Sequence, residues 1–274
     1  MTVASLDTLR DELRQLDRVV VAFSGGTDSA LLAKVAHDTL GKSKVLCATA
    51  ISPSLAANEA DDCRALAKEW DLRWVGVPTD EMSDPTYVAN GADRCARCKT
   101  ALMAALGPLA DAESARVVLG VNVSDLGDYR PGQAAAAAAG ASFPLVDAGF
   151  TKDDIRHWSK HLGLRTWDKP AAACLASRLP YGTPVTLGRL VTVDQAEAAL
   201  KSLGFAQLRV RHHGATARLE CDSADFDEIL ARRAEVIAAV QGAGFTFVAL
   251  DLEGFRSGSM NRMLSTAVVE KESS

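Results

Sequence analysis

One polar turn in this sequence has the residue types and the spacing of a phosphate cradle. The turn is Ser24-Gly25-Gly26-Thr27-Asp28-Ser29, and it follows the apolar run at residues 19–23. Two adjacent glycines let a ligand approach the backbone and allow dihedral angles that are closed to other residues. The N–H groups at the start of the helix that we expect next attract anions. Ser24, Thr27 and Ser29 add hydroxyl donors to the predicted site.

Asp28 indicates that the bound phosphate carries a metal ion, because a carboxylate beside a phosphate group repels it unless a cation lies between them. Magnesium is typically held by one or two carboxylates together with substrate phosphates. The turn lacks the G-K-[ST] of a Walker A loop and the G-x-G-x-x-G of a dinucleotide-binding loop. An ordinary tight turn between a strand and a helix is the alternative interpretation.

Three of the six cysteines lie among basic residues. Cys95 and Cys98 belong to Arg94-Cys95-Ala96-Arg97-Cys98-Lys99, and Cys174 lies between Lys169 and Arg178. Nearby cations favour the thiolate, which is the form that attacks carbon and binds metals. A C-x-x-C pair with a distant third cysteine suits an iron–sulfur cluster with an open iron, or a zinc site completed by another ligand. A solvated basic helix start with one core cysteine, and a redox dithiol, are the alternatives.

Composition excludes several classes of function. The net charge of −5 and the absence of a dense Lys/Arg run disfavour binding to nucleic acid irrespective of its base sequence. Aromatic residues make up 5% of the chain, which disfavours base-stacking platforms. The first residues show no charged start followed by an apolar block, and no run of about 18 apolar residues occurs. We therefore expect a cytoplasmic protein without membrane contact or disulfides, in which Cys47 and Cys63 are buried small hydrophobes.

Strands alternate with helices up to about residue 170, which predicts a doubly wound parallel α/β domain of Rossmann-like type. The predicted strands cover residues 19–23, 45–51, 73–78, 117–122 and, at the end, a short fifth strand at 142–146. Helices are expected at 95–106 and, with Thr151 as the N-cap, up to residue 162. Ligands of such sheets bind at the carboxyl ends of the strands. We therefore expect the polar turn to share one crevice with the segments 48–54 and 120–125, and we expect Ala22, Ala48, Gly120 and Asn122 to contact a ligand bound there.

The pattern changes after Pro184 and predicts a smaller C-terminal α+β domain. Helices are expected at 188–203 and 226–241, with a hairpin between them and a strand at 245–250. Arg209 and Arg211 alternate with apolar residues on the hairpin, so they point to one face. That face is either solvated and ion-paired or a clamp for a phosphate. The expected domains are residues 1–184 and 185–264, followed by a tail at 265–274.

Five segments taken in order resemble one known family. They are Ser24-Gly25-Gly26-Thr27-Asp28-Ser29, Arg94-Cys95-Ala96-Arg97-Cys98-Lys99, Asp128-Tyr129-Arg130-Pro131-Gly132, Lys169-Pro170 with Cys174-Leu175-Ala176-Ser177-Arg178-Leu179-Pro180-Tyr181-Gly182, and Arg209-Val210-Arg211-His212-His213-Gly214. The first resembles the pyrophosphate loop of the ATP pyrophosphatase (PP-loop) superfamily. Together they resemble the LarE family of ATP-dependent sulfur transferases over nearly the whole chain.

This resemblance implies a role in making the nickel-pincer nucleotide cofactor. The substrate would be pyridinium-3,5-biscarboxylic acid mononucleotide, whose carboxylates are adenylated by MgATP and converted to thiocarboxylates. One branch of the family sacrifices a cysteine that matches Cys174. Another binds a 4Fe-4S cluster through three cysteines, and Cys95, Cys98 and Cys174 favour that branch.

The resemblance also suggests roles for other residues. Ser177 and Arg178 would orient the acyl phosphate, Lys99 and Arg130 would contact ATP phosphates or the substrate carboxylate, and Arg209 and Arg211 would clamp the substrate phosphate. Weaker candidates, Glu197 and Glu228, would hold a second metal, with ordinary helix-surface positions as the alternative. The family forms homo-oligomers, so we expect one here.

Three other functions remain open at this point. A PP-loop tRNA thiolase uses the same chemistry on a base, although the acidic balance disfavours RNA. An amidating synthetase of the NAD or GMP synthetase type leaves the three cysteines unused. A nucleotide- or cluster-binding sensor keeps the fold without turnover, and the intact Asp28 and cysteine set disfavour it.

Overall fold

The computed structural model describes residues 3–126, 131–170, 173–256 and 259–261. The chain divides into two compact units. The first consists of Met1–Glu81 and Cys95–Ala172, and the second of Met82–Arg94 and Ala173–Ser274. Among the described residues the strands are, in chain order, β1 (Val19–Ala22), β2 (Val45–Ile51), β3 (Trp74–Pro78), β4 (Arg116–Leu119), β5 (Leu208–His213), β6 (Thr216–Cys221) and β7 (Phe247–Leu250).

The α-helices of the described residues are α1 (Leu6–Leu16), α2 (Thr27–Leu40), α3 (Ala57–Glu69), α4 (Pro85–Val88), α5 (Arg94–Glu113), α6 (Pro131–Ala138), α7 (Pro144–Asp147), α8 (Lys152–His161), α9 (Leu187–Ser202), α10 (Phe226–Ala231) and α11 (Arg233–Gly242). Short 3-10 turns cover Lys42–Lys44, Glu81–Ser83, Val123–Asp125, Leu175–Arg178, Ser223–Asp225 and Ser259–Asn261. None of the helices in this part of the chain combines the length and apolarity that a membrane crossing requires.

The first unit contains a parallel four-stranded sheet in the order β3-β2-β1-β4. Val21, Cys47 and Val118 face one side and pack with residues of α1, α2 and α8. Val20 and Leu46 face the other side and pack with residues of α5 and α6. Because successive strand residues point to opposite faces, both faces are buried, which confirms the doubly wound α/β class.

Two details of the first unit differ from expectation. No strand forms at residues 142–146, because Ser142 makes only an isolated parallel bridge to Val118 before α7 begins at Pro144. Helix α5 continues past the expected end at residue 106 to Glu113, with Pro108 inside it. The predicted helix start at Thr151 is confirmed, since Thr151 and Asp154 form a reciprocal capping box.

The second unit contains a three-stranded sheet in the order β5-β6-β7. Strands β5 and β6 form the predicted antiparallel hairpin, and β7 runs parallel to β6. The helix predicted at 226–241 is two helices, α10 and α11, separated by Arg232. This unit is the smaller α+β part expected from the sequence.

The limits of the second unit differ from the expected boundary at residue 184. Residues 173–184 and 82–94 belong to it as well. The Asn90 side chain donates to the carbonyls of Pro180 and Thr183 at 2.8 and 2.9 Å, and the Arg94 guanidinium donates to the carbonyl of Ala176 at 2.9 Å. Sequence patterns along the chain do not predict these hydrogen bonds, because the bonded segments are far apart in the sequence. The functions expected of the two domains stay predictions.

Candidate functional site

The polar turn places the start of α2 directly after β1. Gly25 has φ +66°, a left-handed conformation that glycine adopts without cost. Gly26 is extended and forms the N-cap of α2, and no side chain caps the helix there. The first N–H groups of a helix have no partners within the helix, and they carry its positive end. The start of α2 is therefore suited to bind an anion.

Two glycines allow this turn to lie close to its neighbours. A Cβ at Gly25 would lie 3.0 Å from the Cys63 sulfur. A Cβ at Gly120, just after β4, would lie 2.8 Å from the backbone nitrogen of Ser29. The structure thus gives Gly120 a packing role against the first turn of α2, and its contact with a nucleotide stays a prediction.

Hydroxyl groups hold the turn in its conformation. Thr27 Oγ1 donates to the carbonyl oxygens of Thr166 and Lys169 at 3.0 and 3.3 Å. Ser24 Oγ and Ser29 Oγ are 3.0 Å apart, and Ser29 Oγ donates to the Gly26 carbonyl at 3.2 Å. The phosphate contacts predicted for these three hydroxyls stay predictions, while their contribution to the shape of the turn is direct.

Lys169 forms a hydrogen bond to the backbone of the turn at Gly25. Its Nζ donates to the Gly25 carbonyl at 3.2 Å and to carboxylate oxygens of Glu59 and Asp62 at 2.7 and 2.6 Å. Burial opposes the charge of Lys169, but the hydrogen bonds to Asp62 and Glu59 outweigh burial and raise its pKa. Lys169 therefore stays cationic at neutral pH and fixes the direction of the Gly25 carbonyl.

Asp28, in the first turn of α2, forms an ion pair that the sequence did not reveal. Lys152 Nζ donates to both carboxylate oxygens of Asp28, at 2.7 and 2.8 Å. The pattern around Thr151 indicated only a helix start, and 124 residues separate the two partners. No short-range signal in the chain connects them.

The ends of the central strands meet beside this turn. Ala22 pairs in register with Ala48 of β2 and with Leu119 of β4, and Phe23 N donates to the Ala48 carbonyl at 2.8 Å. Asn122 is 1% exposed, and its side chain accepts from Ser124 N and donates to Asp125. Ala22 thus ends β1 beside Ala48 within β2, and Gly120 and Asn122 follow β4, while the contacts of these four residues with a nucleotide stay predictions.

The six cysteines fall into two classes. Cys95 is exposed, and Cys98 and Cys174 are half-buried. In contrast, Cys47, Cys63 and Cys221 are buried. Burial raises the pKa of Cys47 to about 12 and of Cys63 and Cys221 to about 11, so these thiols stay protonated. The three accessible cysteines are the ones that the sequence singled out.

The accessible cysteines lie on two elements. Cys95 and Cys98 are three residues apart in the first turns of α5, where such a spacing places side chains on one face. Cys174 precedes the 3-10 turn Leu175–Arg178 in the second unit. Among the described residues, no three His, Cys, Asp or Glu side chains form a metal-binding group. The iron–sulfur and zinc ligand sets therefore stay predictions.

Arg178 holds the backbone around Cys174. Its NH1 donates to the carbonyls of Ala173 and Cys174 at 2.6 and 3.2 Å and to Ser177 Oγ at 3.1 Å. Its other nitrogens form a two-point ion pair with Glu197, at 2.9 and 3.0 Å. The Arg178 and Glu197 side chains are 4% and 3% exposed. Arg178 is thus a positioning residue for the Cys174 segment.

The two predicted ligands of a second metal have different surroundings. Glu197 is buried in its pair with Arg178, and it also accepts from Val210 N at 3.0 Å. Glu228 is 58% exposed and pairs with Arg232 one helical turn away. Neither belongs to a three-member metal-binding group in the described part of the chain. Glu197 therefore has a structural partner that the sequence did not indicate.

Most of the charged face of the hairpin is buried and ion-paired, while the Arg218 side chain is 34% exposed. Arg209, Arg211 and Glu220 are 7%, 5% and 0% exposed. Arg211 donates to Glu220 at 2.6 Å and to the Ser177 carbonyl at 3.0 Å, and Arg218 donates to Glu220 at 2.9 Å. Burial and the nearby Arg178 guanidinium lower the pKa of Arg209 to about 10, which leaves it cationic at neutral pH.

Two guanidinium nitrogens of this cluster are buried without a hydrogen-bond partner among the described residues, Arg211 Nε and Arg218 Nε. A buried donor without a partner costs free energy, which a bound anion recovers.

Two other residues were predicted to contact ATP phosphates or the substrate carboxylate. Of these, Arg130 lies outside the described residues. Lys99 lies on α5, and a Cβ at Gly132 would be 2.7 Å from its Cγ, so the start of α6 packs on the Lys99 stem.

Comparison with known proteins adds a family model and full-length relatives. Residues 2–90 match the NAD synthase family model. The chain is 42% identical over 273 residues to an uncharacterized protein of Synechocystis, covering 97% of this chain and all of that protein. It is 40% identical over 261 residues, 95% of both chains, to pyridinium-3,5-bisthiocarboxylic acid mononucleotide synthase of Lactiplantibacillus plantarum.

A shorter likeness involves glutamine-dependent NAD(+) synthetase of Rhodobacter capsulatus. It is 37% identical over 86 residues, which are 31% of this chain and 15% of that protein. The match thus covers less than a third of this chain, and the nearly full-length likeness is to a synthase named for a different activity.

Proposed function

The chain belongs to the LarE family of ATP-dependent sulfur transferases, and on that premise we propose that it converts the carboxylates of pyridinium-3,5-biscarboxylic acid mononucleotide to thiocarboxylates. ATP activates each carboxylate by adenylation, with release of pyrophosphate. A carboxylate is a poor electrophile because oxide would have to leave, and adenylation replaces oxide with AMP. Sulfur then attacks the acyl carbon.

The observation that carries the proposal is the uncapped start of α2 behind Gly25, with Asp28 in its first turn. Backbone N–H groups at this position stabilise the negative charge that develops on the leaving pyrophosphate. The Lys169 Nζ donates to the Gly25 carbonyl oxygen at 3.2 Å and so fixes the direction of that carbonyl. This contact supports a preorganised cradle, in which no reorganisation is required when the phosphates arrive.

The donor set at Asp28 fits magnesium, since one carboxylate together with phosphate oxygens is a common arrangement for this ion. Bound there, magnesium supplies positive charge to the phosphates of ATP. Asp28 would hold the ion, and the N–H groups at the start of α2 would bind phosphate oxygens.

Cys174 provides the sulfur or carries it. In the sacrificial route, the Cys174 thiolate attacks the acyl adenylate and expels AMP. Loss of the Cα proton then breaks the Cys174 Cβ–S bond, leaving dehydroalanine in the protein and a thiocarboxylate on the product. Arg178 supports this role because it holds the carbonyl of Cys174 from a buried position, at 3.2 Å.

We favour the second route, in which Cys95, Cys98 and Cys174 hold a 4Fe-4S cluster. Three accessible thiols suit such a cluster, whereas the three buried thiols stay protonated. When bound, the cluster supplies a transferable sulfide at its fourth iron. In that route the three cysteines act as ligands and Cys174 keeps its side chain.

The substrate phosphate is assigned to Arg209 and Arg211. The unpartnered Nε atoms of Arg211 and Arg218 support this assignment, because an anion would give buried donors their acceptors. Glu220 balances part of the positive charge through ion pairs at 2.6 and 2.9 Å, and Asp251 balances a further part through its pair with Arg218 at 3.2 Å. An anionic phosphate rather than a neutral group suits the positive charge that remains. Assembly as a homo-oligomer and a cytoplasmic location complete the proposal.

The experiment combines protein, MgATP and the biscarboxylate mononucleotide. The expected products are AMP, pyrophosphate and thiocarboxylate, and Asp28→Asn should abolish all three. ADP in place of AMP would contradict the assignment of the loop.

Anaerobic purification separates the two sulfur routes. A cluster predicts iron and labile sulfide in the protein and an unchanged protein mass after turnover. Sacrifice of Cys174 predicts loss of the elements of one hydrogen sulfide molecule from the protein.

A further inference from the structure

Asp28 and Lys152 form an ion pair at the start of α2. The Lys152 ammonium is 2.7 and 2.8 Å from the two carboxylate oxygens, so it donates to both of them. The side chains are 26% and 34% exposed, which leaves the pair accessible to solvent and ligands. Lys152 N donates to Ser124 Oγ at 3.1 Å, and this contact holds the first residue of α8 beside the turn that follows β4.

An ammonium group in this position competes with any divalent cation for the same oxygens. The four-carbon stem of lysine is flexible, and its ammonium is a compact charge with rotatable donors. When ATP places phosphates at the start of α2, strong new acceptors lie beside Asp28. The ammonium then has a second partner within reach, and the carboxylate becomes available to a metal ion.

We propose that Lys152 is a counter-ion of Asp28 in the nucleotide-free protein, and that it moves to the phosphates of ATP, which opens the carboxylate to a divalent cation. The inference rests on the proposed function, because it requires ATP at the loop. It assigns to Lys152 a role in nucleotide and metal binding that the sequence pattern at Thr151 did not suggest.

This exchange makes metal binding depend on the nucleotide. Without ATP, the ammonium occupies the carboxylate, and a divalent cation binds weakly. With ATP, the metal gains phosphate oxygens and loses its competitor. Because such coupling is reciprocal, the metal strengthens ATP binding by the same factor.

The test uses Mn²⁺ as the probe and measures its binding to the nucleotide-free protein by electron paramagnetic resonance. Lys152→Met should bind Mn²⁺ about fivefold more tightly than the wild type, because an ion pair of this exposure is worth about 1 kcal/mol. Lys152→Arg keeps the charge and should bind Mn²⁺ as the wild type does. Lys34→Met is the matched control, since Lys34 makes a separate ion pair with Asp38 on α2.

The same variants are then titrated with ATP and with adenosine, both in the presence of EDTA. Lys152→Met should bind ATP about fivefold more weakly and adenosine unchanged, because only the phosphates lose a cationic partner. Unchanged Mn²⁺ affinity in Lys152→Met would overturn the inference. Equal losses of ATP and adenosine binding would also overturn it, since they would show a structural role alone.

The outcomes also separate this inference from the proposed function. Failure of the wild type to bind ATP would contradict both. Normal ATP binding and AMP formation by the wild type, with Lys152→Met unchanged in every titration, would contradict the role of Lys152 alone.

Discussion

The two units arrange their polar groups in different ways. In the first unit, the turn at residues 24–29 presents backbone N–H groups at a helix start, and its one charged side chain, Asp28, is partly exposed. In the second unit, buried guanidinium and carboxylate groups face each other, as in Arg178–Glu197 and Arg211–Glu220. The first arrangement depends on close packing of the backbone. The second depends on each buried charge having an opposite charge beside it, because water does not reach these groups. Substitutions should therefore act on nucleotide affinity in the first unit and on stability in the second.

The largest effect is expected from Glu197→Ala. Removing one partner of a buried ion pair costs about 3–5 kcal/mol, because the other charge stays buried. Hydrogen–deuterium exchange of α9 and β5 measures this loss in the second unit. All four tryptophans lie in the first unit, at positions 70, 74, 158 and 167, so their fluorescence should change little.

Glu228→Ala is the matched control for this comparison. Glu228 is also a helix glutamate paired with an arginine, but it is 58% exposed. Its loss should cost at most about 0.5 kcal/mol. Equal effects of the two variants would show that burial does not distinguish these two glutamates.

The next effect is expected from Gly120→Ala. The added Cβ would lie 2.8 Å from Ser29 N, and neither backbone can easily move. Overpacking of this kind costs about 1–3 kcal/mol, so ATP affinity should fall about tenfold to a hundredfold if the strain displaces the start of α2. Calorimetric titration with ATP measures the change. Gly107→Ala is the control, because its added Cβ has open space, and wild-type affinity in both variants would contradict this account of the turn.

A smaller effect is expected from Lys169→Met. The variant loses the hydrogen bond to the Gly25 carbonyl and leaves Glu59 and Asp62 without their shared cation. Charge-assisted hydrogen bonds contribute about 1.5–3 kcal/mol, and partial exposure reduces this, so we expect about fivefold weaker ATP binding. Lys42→Met, which removes a surface ion pair with Asp71, should leave ATP binding unchanged. An equal loss in both variants would indicate a general charge effect.

The smallest effect concerns the buried thiols of the first unit. The pKa of Cys47 is raised to about 12 by burial, whereas an unfolded thiol titrates near 8.5. The folded state therefore keeps a proton that the unfolded state loses, and stability falls as the pH rises above about 8.5. Between pH 8.5 and 9.5 the Cys47 contribution is about 1 kcal/mol. Urea unfolding followed by tryptophan fluorescence measures it.

Cys47→Ala should remove only its own share of that pH dependence, because the pKa values of Cys63 and Cys221 are also raised, to about 11. Cys95→Ala, which removes an exposed thiol, is the control. The same slope in wild type and Cys47→Ala would show that other groups cause the alkaline loss.

The features that the sequence could predict are those that depend on residues close together in the chain. The turn at residues 24–29 and the spacing of the cysteines can each be recognised in a short stretch of sequence. Apolar strands that alternate with helices along the chain predict a sheet that is buried on both faces. Ala22 lies beside Ala48 and Leu119 because neighbouring parallel strands pair in register, while the crevice itself stays a prediction.

Contacts between distant residues were not predictable in this way. Lys152 meets Asp28 across 124 residues, and Asn90 contacts Pro180 and Thr183 across 90 and 93 residues. The alternation of Arg209 and Arg211 indicated a charged face, but periodicity alone does not tell a solvated face from one covered by other elements. Burial of that face depends on long-range packing.

The central claim is that ATP makes a carboxylate oxygen expendable so that sulfur takes its place. The most direct measurement is the product ratio of one reaction of the wild-type protein with MgATP and pyridinium-3,5-biscarboxylic acid mononucleotide. The account predicts one AMP and one pyrophosphate for each thiocarboxylate formed. Thiocarboxylate that forms with ADP and phosphate, or without nucleotide cleavage, would contradict it.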